Sequence, residues 1–179
     1  MPQIKGWVSL FVVLSSFFVY STIQAQSKES KDADLKEVRS YALTDKKFEL
    51  FSNAVKSAAK VIQQNPQIVK SDSDDADDQS IKGIVAMVDK SPDLKKAIES
   101  AGMTTRDFVL FEMAIINGAS GSLLTKAGQK LPPEISPDQV EFYQKNETKL
   151  KALTEYMDSV QKIVDKKTGE DDDDSDSDQ

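Results

Sequence analysis

The chain has 179 residues, 23 of them basic and 30 acidic, with no cysteine and no histidine. That length suits one domain with tails. Without cysteine there is no disulfide, iron–sulfur cluster, thiolate metal site or thiol nucleophile. Without histidine the usual general base near neutral pH and the commonest transition-metal ligand are missing, so Ser-His-Asp and Cys-His catalysis and ordinary zinc sites are excluded.

The first 25 residues read as a secretory signal. Lys5 supplies a positive start, Trp7 to Tyr20 an apolar stretch, and Ser-Thr-Ile-Gln-Ala at 21–25 a small-residue cleavage site at Ala25. Cleavage there starts the mature chain at Gln26. No cysteine follows the apolar stretch, so a lipid anchor on cysteine is excluded. Charge in the remainder is uneven. Five acids fall in 71–80 (SDSDDADDQS) and seven in 170–179 (EDDDDSDSDQ), which leaves the rest of the mature chain with 18 acidic against 22 basic residues. The low isoelectric point therefore describes two acidic runs on a mildly basic body. Arginine occurs only at Arg39 and Arg106, with no basic run interleaved with aromatics, so nucleic acid is not an expected partner.

Residues 26–40 are polar and charged, and are expected to be a flexible leader with at most a helical turn at Leu35–Val38. Thr44 caps the first clear helix, in which Phe48, Phe51, Val55, Ala58 and Ile62 follow helical spacing up to Asn65-Pro66. The aspartates at 71–80 invite a calcium reading through Asp72, Asp74, Asp75, Asp77 and Asp78. Set on the EF-hand template from Asp72, however, the third ligand position is Ala76, the required glycine is Asp77 and the closing glutamate is Gly83. The run reads as a solvated, disordered loop, with weak divalent-cation binding as the alternative. Ser80 caps a second helix to Lys90, burying Ile81, Ile84, Val85 and Val88. Ser91-Pro92 starts a third, with Leu94, Ala97, Ile98 and Ala101, ending at Gly102.

Thr104 to Lys126 is the most continuous apolar stretch of the mature chain, with Thr104 as cap and Asp107 in the acidic position of a capping box. Phe108, Phe111, Ile115, Ala119, Ser122 and Leu123 cluster on one side, and Leu110, Met113, Ala114 and Leu124 leave the other side apolar too. Such a helix is expected at the centre of a core. Glu112, Asn117 and the interior glycines argue against a membrane span, so no stable span is expected after signal cleavage. Ala114, Asn117, Gly118 and Gly121 form a strip of small residues, read as a close-packing face. Leu131 to Pro137 is a proline-rich connector. The last helix runs from Pro137 to about Lys166, with Val140, Tyr143, Leu150, Leu153, Met157, Val160 and Val164 as its stripe. Asn146-Glu147-Thr148 matches a glycosylation sequon but sits mid-helix. Residues 168–179 are expected to be a disordered acidic tail.

No strand alternation or internal repeat is present. The fold expected over 41–167 is an all-α bundle of about five helices, mainly antiparallel. Tyr41-x-Leu-Thr44, the run Ser-Pro-Asp-Leu to Ala-Gly-Met-Thr-Thr-Arg-Asp-Phe over 91–108, and Leu-Pro-Pro-x-Ile-Ser-Pro-Asp-Gln-Val-Glu-Phe over 131–142 together resemble exported bacterial proteins of one small helical domain. The resemblance spans about 41–157. It implies export and a helical fold, and carries no activity, cofactor or site residue.

Glu112 is the one charged residue between Phe108 and Leu124. A carboxylate on a core face needs a partner or a raised pKa. It is either a ligand anchor or general acid/base, or a structural carboxylate bonded to a lysine, a tyrosine or the backbone. The expected function is that of a non-enzymatic exported protein that binds a protein or small ligand, without a cofactor. An enzyme or ligand pocket at Glu112 is the alternative.

Overall fold

The computed structural model describes residues 28–70 and 80–168, and all regular structure among them is α-helical. The helices are α1 (Lys28–Ser40), α2 (Asp45–Gln64), the single turn α3 (Gln67–Lys70), α4 (Ile81–Lys90), α5 (Pro92–Ser100), α6 (Thr105–Lys126) and α7 (Pro137–Thr168). The acidic run 71–79, the segment before Lys28 and the tail after Thr168 lie outside the described residues.

The starts are set by short polar side chains that accept the orphan N–H groups of a first turn. Thr44 accepts from Lys47 at 3.2 Å, Ser80 from Gly83 at 3.0 Å, Ser91 from Leu94 at 3.4 Å and Thr104 from Asp107 at 3.0 Å. Two ends use glycine in the left-handed region, Gly102 at φ 92° and Gly128 at φ 72°. At both, the glycine N–H bonds back to Glu99 or Thr125 and the next N–H to Ile98 or Leu124, the paired arrangement that satisfies a helix's last carbonyls. Met103 and Ile98, the residues that close the first of these ends, are both buried.

Residues 28–40 depart from expectation: they form a full helix, not a leader with one turn. The reason is tertiary. Val38 is 2% exposed and belongs to the core. The Asp34 carboxylate accepts the Ile81 N–H at the start of α4 (3.1 Å), and Arg106 of α6 grips Glu37 with bonds of 2.6 and 2.7 Å. One buried valine is too sparse a pattern to reveal such a helix in sequence.

The core is centred on aromatic rings from three helices. Phe51 stacks on Phe111 with centroids 4.7 Å apart and meets Phe108 at 5.0 Å, while Phe48 and Phe142 each lie 6.3 Å from Phe111. Offset and edge-on pairs at such distances contribute beyond the area they bury. The expected stripe of α7 is buried throughout, and Phe142 joins it.

α6 and α7 make the largest helix–helix contact, and the strip of small residues explains how. A Cβ at Gly118 would lie 2.5 Å from the Gln139 carbonyl oxygen, and one at Gly121 only 2.4 Å from Val140 Cγ2. The two backbones therefore meet where side chains are absent. α2 and α7 run parallel, since Asp45 pairs with Lys145 at their starts and the Gln63 carbonyl accepts from Lys167 near their ends. The connector after α6 brings the chain back beside Gly121, which Leu131 and Ile135 flank, before α7 begins.

Candidate functional site

Glu112 is the starting point because it is the buried charged side chain among the described residues, at 9% exposure. On a helix it lies two turns beyond Thr105, hence on nearly the same face. The Thr105 hydroxyl donates to Asp89 of α4 at 2.9 Å, so this face of α6 looks toward α4. Above it lie Ile116, Ala119 and Leu123.

No hydrogen bond joins the Glu112 carboxyl to another described residue, and its oxygens are not fully enclosed, so they touch water at the edge of the core. The lysine, tyrosine or backbone partner expected of a structural carboxylate is thus missing among them. Burial alone pushes its pKa up from the ordinary carboxylate value to about 7. A group in this state takes up or releases a proton near neutrality. Among the described residues no second carboxylate, hydroxyl or amine is set to share that proton, so general acid/base work by them would require the substrate to bring the other polar groups.

The other polar clusters are structural. Tyr41 donates to Asp107 (3.2 Å to Oδ1), and the Thr104 hydroxyl donates to the other carboxylate oxygen at 3.1 Å. Burial, with the Asp107 charge beside it, raises the Tyr41 phenol well above its ordinary range, so it stays protonated. Lys47 sits over the same ring, 3.8 Å from its centroid. Asp89 is held between Thr105 and Lys95. These bonds pin the α1–α2 turn and α4 to the first turn of α6. Asp107 stands at the acidic position of the expected capping box, but its carboxylate accepts from the Thr104 hydroxyl and not the Thr104 N–H, and it also ties α6 to Tyr41.

The aspartates considered for a cation, Asp72, Asp74, Asp75, Asp77 and Asp78, lie outside the described residues. Among the described residues no group of three acidic side chains is placed to hold a metal ion. Asn146 is 2% exposed and its side chain donates to the Phe142 carbonyl at 3.1 Å, so the folded domain hides the sequon from a glycosyl donor.

Two side chains correct the reading of sequence. Leu123, assigned to the core side of α6, is 67% exposed. α4 has ten residues, about 15 Å, against about 33 Å for the 22 residues of α6. Pinned at Thr105, α4 ends near the level of Glu112 and leaves Ile116 and Leu123 beyond it. Gln139 was not singled out, yet it is 2% exposed and its amide nitrogen donates to the carbonyls of Val38 (2.6 Å) and Tyr41 (3.1 Å). It clamps the α1–α2 turn to α7. Its position two residues after the Ser136-Pro137 pair marks a helix start, and nothing in sequence says which carbonyls it would reach.

By length and composition alone, α6 is long and apolar enough to cross a membrane. It is the core helix here, packed by α1, α2, α4, α5 and α7. Comparison of the chain with protein-family models, curated proteins and solved structures found no match.

Proposed function

We propose that this chain is an exported, non-enzymatic binding protein that engages a protein or small ligand in the periplasm or outside the cell. Export rests on Lys5, the apolar run Trp7–Tyr20 and the small residue at Ala25. The single observation behind the non-enzymatic reading is that no described polar group bonds to Glu112: a buried carboxyl alone lacks the second member that proton transfer or nucleophilic attack requires. Around it, polar bonds among the described residues tie helices to one another.

The test is a crosslinked pull-down from the exported fraction with the mature chain and an Ile116→Glu/Leu123→Glu double variant. These two side chains are the apolar ones α6 leaves in water. A specific partner that is lost in the double variant, at unchanged melting temperature, supports the reading. A turnover that disappears in Glu112→Gln overturns it.

The absence of a hydrogen-bond partner for Glu112 among the described residues favours a second reading, a small ligand with a donor or cationic group that satisfies this carboxyl. Such a ligand would raise the melting temperature of the wild type and leave Glu112→Gln unmoved.

A further inference from the structure

We propose that the common end of α2 and α7 is a docking surface for the chain's own acidic C-terminal sequence, 170–179. The Lys167 ammonium donates to the Gln63 carbonyl at 2.7 Å, so the last turn of α7 lies against the last turn of α2. Lys60 and Lys56 are exposed on α2, three and seven residues before Gln63, or about 5 and 10 Å along the axis. Lys162, Lys166 and Lys167 are exposed on α7. None of these five lysines has a carboxylate within ion-pair distance among the described residues, whereas Lys95, Lys126, Lys145 and Lys151 each have one. Two carboxylates, Asp158 and Asp165, share this stretch of α7, so lysines outnumber acids there.

The occupant follows from charge and reach. The sequence continues from Thr168 as Gly169 and then Glu170-Asp-Asp-Asp-Asp174, with Asp176 and Asp178 beyond. Ten extended residues reach about 33 Å, well past Lys56. A tethered segment meets such a surface at an effective concentration on the order of millimolar, so weak contacts suffice. The attraction is between exposed charges, so salt screens it. Docked, the tail competes with any acidic partner for the same lysines.

The test is zero-length carboxyl-to-amine crosslinking of the full chain, with peptide mapping. Links to Lys162, Lys166 and Lys167 follow from chain proximity alone, so Lys56 and Lys60 decide the outcome. At low ionic strength the carboxylates of 170–178 should link to Lys56 and Lys60 several-fold more than to the exposed Lys46 and Lys130, and high salt should abolish the preference. In the full-length variant with Asp171, Asp172, Asp173 and Asp174 all changed to Asn, acetylation of Lys56 and Lys60 should speed up several-fold while Lys46 and Lys130 keep their rates. Links spread evenly over all four lysines, or acetylation rates that the variant leaves unchanged, would overturn the proposal.

Discussion

At Glu112 the opposing terms can be weighed. In the unfolded chain the carboxyl has its ordinary pKa, about 4.3; in the fold burial raises it to about 7. The folded state therefore binds more protons between these values, and stability falls as pH rises through that window. The favourable term is fully present below the unfolded value and is lost above the folded one. A difference of this size corresponds to about 3–4 kcal/mol, as an order of magnitude. Glu112→Gln keeps the shape and removes the titration. Its stability relative to the wild type should grow from pH 4.5 to pH 7.5 and then level off, as read by denaturant melts at several pH values. A difference that does not vary with pH would show that water at the carboxyl cancels the effect of its burial.

The two packed glycines separate another pair of effects at single residues. Alanine is favoured over glycine in a helix interior by about 1 kcal/mol. At Gly118 the added methyl meets a backbone oxygen, which cannot yield without moving α7. At Gly121 it meets the branch methyls of Val140 and Ile135, 2.4 and 2.8 Å away, which are stiff at χ1. Gly118→Ala and Gly121→Ala should therefore both be destabilising, by about 1–3 kcal/mol net. An unchanged or raised melting temperature in either variant would show that α7 yields to the added methyl.

At the scale of the element, α1 shows how little local preference decides. It is a polar helix with one residue in the core, and isolated helices of its length are marginal in water. It persists because Val38 is buried, Asp34 and Glu37 bond to α4 and α6, and Gln139 holds the turn that follows. Gln139→Ala leaves carbonyls of that turn without their donor, at a cost of about 1–3 kcal/mol. Amide exchange in 31–41 should accelerate in this variant far more than exchange in α6. Uniform acceleration across both helices would mean that α1 does not open on its own. An i, i+4 pair such as Asp32 and Lys36 is worth only a few tenths of a kcal/mol and leaves unsaid whether the helix docks.

Across the whole molecule, a single cluster of buried side chains draws on α1, α2, α4, α5, α6 and α7. No element has a core of its own. Unfolding of the described domain should therefore be one cooperative transition. Far-ultraviolet dichroism, near-ultraviolet dichroism and tyrosine fluorescence should give coincident denaturant curves. An early loss of near-ultraviolet signal alone would divide the core into parts. The surface ion pairs add little to this stability, because their partners remain well exposed.

Sequence alone determined what could be read from neighbours in the chain. The Thr44, Ser80, Ser91 and Thr104 caps, the glycine stops at Gly102 and Gly128, and the stripes of α2, α4, α5 and α7 are local matters of hydrogen bonding and of a 3.6-residue period. The class of chemistry that histidine and cysteine would bring was excluded by composition. Tertiary structure decided the rest. The docking of α1, the reach of Gln139 to the α1–α2 turn, the parallel course of α2 beside α7 and the exposure of Leu123 all depend on which helix lies opposite. So does the state of Glu112. A carboxylate on an apolar face can be read as buried, but whether it finds a donor depends on residues far away in the chain, and the fold brings none of those described to it.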